Sequence, residues 1–354
     1  MSEVNAKSTE IGAVNFKFPL EKKGRDFEMF SIHPNGEEWL FTECSTELNS
    51  EGDCYVFNYN IISNKLQRYA LPEGYLYGYA NFSPKGNYIL MSRAPKHDRS
   101  EVQITRSVED SEIVMMRSDG TDFTVLPLKK GSKLAPFMSK DETKIAYWRS
   151  GIFREAGSKS ISADFDVCEY DLNEKKDHLF AGPYHFFSGG NSQYISEGEI
   201  LLGSYGPAKY GQSMGEYLKR HNGSEIYIIQ RKSADLPTPS LIEVENARNP
   251  SIDEVGNIYL TGQKLPKFGS SFFKKSLDGE ISLWQEPVNL TALRQVNVAP
   301  NGQYMAFIYA ADGTNFRDQK SAFGRLNFEN SQWVPVSIPA LRDSILLSVR
   351  FKNK

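Results

Sequence analysis

The side chains best suited to chemistry are two arginines that close predicted strands, Arg93 in YILMSR and Arg149 in KIAYWR. Polar loops follow both, carrying Lys96, His97, Arg99 and Arg154. Guanidinium forks pair carboxylates and sulfates bidentately, so this sector is suited to an acidic group. An earlier stretch is acidic instead, with Glu43, Glu47, Glu51 and Asp53; mutual pairing or plain solvation accounts for all these charges more simply. Tyr75, Tyr77, Tyr79, Tyr184, His185 and Arg294 lie in links between segments, and Tyr205, Tyr210, Tyr217 and His221 share one long loop. Aromatic faces beside hydrogen-bonding groups can stack sugars or seat a peptide, although the Tyr75, Tyr77, Tyr79 alternation equally fits a packed strand end. The candidate ligand-binding set is Arg93, His97, Arg149, Tyr184, His185, Tyr205, His221 and Arg294.

Five histidines (33, 97, 178, 185 and 221) contain no pair at ligand spacing, and neither His-Glu-x-x-His nor Cys-x-x-Cys occurs. Only His97, His185 and His221 come from segments able to converge, so no metal and no cofactor is expected. The sequence holds no Gly-rich phosphate loop after a strand, no prominent carboxylate pair and no Cys/His nucleophile spacing. Catalytic residues are therefore unknown at this stage.

These side chains must be carried by strands. The stretch NFSPKGNYILMSR (81–93) joins two apolar runs through a tight turn, and related stretches start at residues 30, 136, 186, 250 and 296. Turn markers at Gly36, Gly86, Asp141, Gly198, Gly256 and Gly302 recur about every 45–60 residues, the period of propeller blades. Each unit reads as four antiparallel strands with two apolar faces, which it buries by stacking against neighbours around an axis. The expected fold is an all-β propeller of six blades; the alternative is seven, with VNFKFPL (14–20) and ILLSVRF (345–351) forming a rudimentary seam blade. One of these spare strands is expected to pair across the seam and protect an exposed edge. Residues 1–13 read as an extended or disordered tail and 14–354 as one propeller domain. The longer loops, 94–110, 150–164, 205–224 and 310–320, mark one face as the binding face. Cys44 and Cys54 flank one predicted hairpin, where facing positions would bring them within disulfide range, and read either as a bond or as two half-buried thiols, while Cys168 reads as core.

The 354 residues are 40% hydrophobic and 12% aromatic, enough for a β-rich core, and the net charge of -3 gives no pull toward nucleic acid. No apolar run approaches the roughly 18 residues of a membrane span. The polar opening MSEVNAKSTE is no signal peptide, so the protein is expected in the cytoplasm if that terminus is native, or in the periplasm or another export compartment if a leader was removed.

The repeats NFSPKGNYILMSR with SEIVMMRSDGTDFTVLPL (111–128), and VAPNGQYMAFIYA (298–310), resemble the Pro-Asp-type, WD-like β-propeller repeat of the TolB-like family and of prolyl-oligopeptidase-type peptidases. The pattern covers about residues 27–340. The chain has no room for the smaller α/β domain that precedes the TolB propeller, and no Gly-x-Ser-x-Gly elbow occurs. The resemblance implies an exported binding or scaffold propeller that holds a protein, peptide or envelope ligand as a monomer. The alternative it implies is a lyase or hydrolase acting on an acidic oligosaccharide in the central channel, since propeller lyases of that kind use channel-facing histidines for a divalent metal.

Overall fold

The computed structural model describes residues 25–45, 54–96, 111–154, 161–187, 189–207, 214–219, 223–233, 235, 244–263, 271–285, 293–310, 321–336, 338 and 345–348. The tail 1–13, the stretch 14–20, His97, Arg99, Tyr210 and His221 lie outside them, as do most of the long loops.

Six sheets follow one another along the chain. Blade one comprises β1 (Arg25–Ile32), β2 (Glu38–Ser45), β3 (Cys54–Asn60) and β4 (Lys65–Ala70). Blade two comprises β5 (Tyr75–Phe82), β6 (Tyr88–Pro95), β7 (Glu112–Arg117) and β8 (Thr124–Val125). Blade three has β9 (Ser132–Met138), β10 (Lys144–Arg154), β11 (Ile161–Asp171) and β12 (Lys176–Leu179). Blade four has β13 (Ser192–Ser196), β14 (Glu199–Ser204) and β15 (Glu225–Gln230); its expected outer strand, SLIEV, falls almost wholly outside the described residues. Blade five is β16 (Glu245–Ile252), β17 (Ile258–Gln263), β18 (Ser271–Lys275) and β19 (Ile281–Gln285), and blade six is β20 (Leu293–Val298), β21 (Tyr304–Ala310), β22 (Ser321–Asn327) and β23 (Trp333–Val336). Within each blade the pairing is antiparallel. The first strands β1, β5, β9, β13, β16 and β20 touch in cyclic order and so close a ring around an axis.

The second strands explain why the blades stack. Their apolar runs are continuous rather than alternating, as expected for strands buried on both faces. Successive side chains point to opposite sheet faces, so Trp39 packs against blade six while Leu40 packs against blade two. Likewise Ile89 turns to blade one and Leu90 to blade three, and Ile145 turns to blade two while Ala146 turns to blade four. Six apolar clusters result, one between each pair of neighbouring blades.

The tight turns sit together on one face. Gly36, Gly86, Gly256 and Gly302 have φ of 73°, 75°, 106° and 65°, as the turn chemistry requires. At Gly86 a Cβ would also meet the His33 ring at 2.1 Å, because His33 of the preceding turn reaches the Gly86 carbonyl at 3.3 Å. Blade three manages without glycine. Glu142 takes φ of 65°, while the Asp141 carboxylate accepts from Ser139 Oγ at 2.6 Å and Thr143 Oγ1 at 2.6 Å.

Two features settle points that the sequence left open. Ile345–Ser348, β24, pairs parallel to β4 and becomes the fifth strand of blade one. The chain thus passes from blade six back onto the outer edge of blade one, and the ring has six blades. The expected loop 150–164 is shorter than the sequence indicates, because β10 and β11 keep pairing out to Arg154 and Ile161.

Cys44 and Cys54 are directly opposite in the β2–β3 ladder, 4.1 Å apart at Cα, and form a disulfide. A bond closing a loop of this sequence separation, 10 residues, restricts the unfolded chain by about 2–3 kcal/mol. Cys44→Ser with Cys54→Ser should therefore lower the unfolding free energy by about that amount in urea titration. Thiol titration of denatured, unreduced wild type should find one free cysteine, Cys168, which is buried and whose thiol is pushed up to about 12 by desolvation.

Candidate functional site: the central channel

The channel wall is built from the first strands. Register places Ser31, Asn81, Phe137, Gln193, Ser251 and Asn297 on one tier. Four of these bond to the next blade. Ser31 Oγ accepts from Phe82 N at 3.1 Å, Asn81 Nδ2 donates to Pro136 O at 3.2 Å, Ser251 Oγ accepts from Val298 N at 3.0 Å, and Asn297 Nδ2 donates to Phe30 O at 2.5 Å. Small polar side chains at this level therefore join the ring where neighbouring strands converge.

Two residues earlier the strands bulge. Met29, Tyr79, Ala135 and Asn249 take φ of 41°, 54°, 47° and 52° beside breaks in register. Such bulges bend a strand and re-aim its side chains. In blade six the break falls at Leu293/Gln295, and Gln295 turns inward. Its Oε1 accepts from Phe30 N at 2.8 Å, while its Nε2 donates to Asn191 Oδ1 at 3.3 Å and touches Met29 Sδ. The Gln295–Asn191 bond runs from blade six past blade five to blade four. On the turn side lies a cavity of about 180 Å³, lined by all six blades, with Met29 and Asn191 at its inner end.

On the opposite side, where the long loops emerge, the wall carries Tyr205, Asn246 and Arg248. Arg248 is exposed, and its Nε and Nη2 both donate to Asn246 Oδ1, at 3.0 Å and 2.8 Å. Nη2 also donates to Tyr205 OH, and the guanidinium carbon lies 5.5 Å from the Tyr205 ring centre. Asn246 is itself fixed, with φ of 53° and its Oδ1 within reach of Ser224 N at 3.4 Å. Below this cluster Tyr227 donates to Glu225 Oε2 at 2.6 Å, and Tyr217, from the short helix Met214–Leu218, reaches Gly206 O at 3.3 Å.

The sequence-derived candidates are distributed differently from their expected grouping. Arg93 is buried and paired inside its own blade, with Nε donating to Glu112 Oε2 at 2.8 Å and the guanidinium 3.9 Å over the Tyr75 ring. Arg149 Nη1 donates to Asp177 Oδ2 at 2.9 Å, again within its blade, and Tyr147 OH donates to the other oxygen at 2.7 Å. Tyr184 is buried and donates to Ser233 O at 2.9 Å. His185, half-buried with φ of 56°, donates its backbone N–H to Asp166 Oδ1 at 3.2 Å. Only Tyr205 of the described candidates joins the channel-mouth cluster. Arg294 is placed by its backbone on β20, the first strand next to that of Arg248. Burial raises the phenols of Tyr77, to about 12, and of Tyr184 and Tyr217. They are thus neutral hydrogen-bonding groups, not bases. Among the described residues no cluster of three metal-ligating side chains occurs.

Arg248, Asn246, Asn191 and Gln295 were not among the sequence candidates. A signal existed, because Arg248 and Arg294 each stand three residues before the polar tier residue of their strand, Ser251 and Asn297. It is legible when first strands are aligned, and the second strands hide it.

Six radial sheets, a ring of first strands and a polar axial channel define a six-bladed β-propeller. No family model matches the sequence, and no curated protein matches it. Solved structures do share the fold. TolB from Acinetobacter baumannii superposes with a TM-score of 0.57 at 12% identity, over 89% of this chain and 64% of that one. The β-propeller domain of the trilobed protease from Pyrococcus furiosus gives 0.51 at 13%, over 89% and 84%. An oligogalacturonate lyase in complex with manganese gives 0.55 at 10%, over 89% and 78%. The chain thus spans less than two thirds of the TolB length, and at these identities the likeness is one of fold.

Proposed function

We propose that the protein is a binding propeller, acting as a monomer, that holds a peptide or protein segment at the long-loop mouth of its channel. The observation that carries this reading is the Tyr205–Asn246–Arg248 cluster, an aromatic face and a fixed guanidinium left accessible beside the Gln295–Asn191 bond. Side-chain amides offer donor and acceptor together, which suits a peptide backbone. The alternative, a lyase or hydrolase on an acidic oligosaccharide using Arg93, Arg149 and the histidines 97, 185 and 221, has less support, since both arginines are neutralised by carboxylates of their own blades. The Cys44–Cys54 bond favours an oxidising compartment such as the periplasm.

Cross-linking capture from the protein's native host, followed by shortening of loops 94–110 and 205–224, tests the reading. Loss of the captured segment on shortening is the expected outcome. Capture untouched by both deletions would remove the face assignment, and a stoichiometric divalent metal together with cleavage of oligogalacturonate would replace binding with catalysis.

A further inference from the structure

We infer that Arg248 is a carboxylate receptor, and that the segment held at the channel mouth is acidic. This rests on the binding reading above and adds the chemistry of the ligand. Three observations combine.

First, no carboxylate among the described residues neutralises Arg248. Among the described residues its partners are an amide oxygen, a phenol oxygen and an aromatic ring, all uncharged. Arg93, Arg149 and Arg231 each have a carboxylate within hydrogen-bonding distance. Glu225, on β15 below the cluster, accepts from Tyr227 and Tyr217.

Second, the guanidinium is oriented with one nitrogen left over. Nε and Nη2 converge on the single oxygen Asn246 Oδ1. That occupies the Nε/Nη2 side of the fork, Tyr205 OH takes the other Nη2 hydrogen, and among the described residues Nη1 is left to donate to a carboxylate. Asn246 cannot easily release the guanidinium, because its own carbonyl is held against Gly223 and Ser224, where a Cβ on Gly223 would meet Asn246 Oδ1 at 2.5 Å. Little side-chain entropy remains to be lost on binding.

Third, the position is at the axis and not on an outer strand. Arg248 pairs with Thr261, and Gln295 pairs with Ile308, on corresponding levels of neighbouring blades. The receptor thus stands at the level of the Gln295–Asn191 bond. Arg294 brings a second basic residue to the adjoining strand.

The experiment uses the full chain as bait for a displayed random-peptide library, with selected peptides remade and titrated against wild type, Arg248→Gln and Arg248→Lys. Trigalacturonate is titrated in parallel as a carboxylate of different origin. The expected result is a set of peptides enriched in Asp and Glu whose affinity falls about 10- to 100-fold with Arg248→Gln, the loss typical of a charge-assisted bond. Arg248→Lys should recover only part of it, because an ammonium cannot keep the Asn246 and Tyr205 bonds that orient the guanidinium. Replacing the critical acid in the peptide by its amide should cost the same on wild type and nothing further on Arg248→Gln. Peptides that bind without acidic enrichment, or unchanged by Arg248→Gln, would overturn the acidic-ligand inference and leave the binding reading standing. Trigalacturonate binding that depends on Arg248 with no peptide selected would overturn the peptide source. Failure of both probes on wild type would overturn the inference and the binding reading together.

Discussion

Glu169→Ala should lower the unfolding free energy by about 3–5 kcal/mol, seen as an earlier urea midpoint, which is the cost of leaving a buried ionic partner uncompensated. Glu169 is fully buried on β11, at the boundary of blades three and four. Arg231, which follows the last described strand of blade four, holds it with both terminal nitrogens, Nη2 at 2.8 Å from Oε2. Tyr194 OH donates to Oε2 at 2.7 Å, and His178 Nε2 lies 3.3 Å from Oε1. Removing the carboxylate deprives Arg231 of its counter-charge and Tyr194 of its acceptor inside the same interface. Desolvation costs nearly offset the attraction in such pairs, so Glu169→Leu combined with Arg231→Met should lose much less than Glu169→Ala alone. A double variant as unstable as the single one would show that shape, and not charge, governs this boundary.

The second large effect is expected at the seam, where Phe323→Ala should cost about 3–5 kcal/mol through lost burial and the cavity it leaves. Phe323 comes from β22 of blade six, yet its ring lies 4.6 Å from that of Phe27, 5.7 Å from Phe30, 5.8 Å from Trp39 and 5.1 Å from Phe41, all in blade one. The polar side of the same joint is short. Trp39 Nε1 donates to Tyr304 OH at 2.8 Å, and Tyr304 OH donates to Gly36 O at 2.7 Å. At every other boundary the chain passes on to the first strand of the next blade, whereas here it returns to the outer edge of blade one through β24. Amide exchange in β1 and β20 should therefore accelerate more than in β9 or β13. Phe186→Ala, in the cluster between blades three and four, should show a comparable stability loss without that pattern. Uniform acceleration in both variants would mean that the ring opens as one unit.

The contrast between Arg93 and Arg248 shows how much of the site could be read in advance. Arg93 was recognisable as a strand-end arginine, but its ligand was hidden: Glu112 becomes its neighbour only when β6 and β7 pair in register. The same holds for Arg149 and Asp177, which are 28 residues apart and meet through two ladders of blade three. Charges on neighbouring strands neutralise one another according to register, and the sequence does not display register directly. Arg248 has the opposite history. It looks like an ordinary charge within ENARNPSI, and becomes distinctive because a bulge, a neighbouring blade and an asparagine fix it at the axis.

The sequence by itself determined the blade. Turn chemistry at Gly36, Gly86 and Gly302 and the unbroken apolar second strands are local properties, repeated, and they suffice for an all-β ring of stacked sheets. It also placed Cys44 opposite Cys54, since one hairpin holds both. Only the tertiary structure decided how the ring closes, through β24 on blade one, and which polar groups meet at the axis. Those contacts join residues such as Gln295 on β20 and Asn191 just before β13, 104 positions apart and in blades that are not neighbours. Their encounter depends on blade number, bulge position and the sum of every interblade packing, which are quantities of the whole ring.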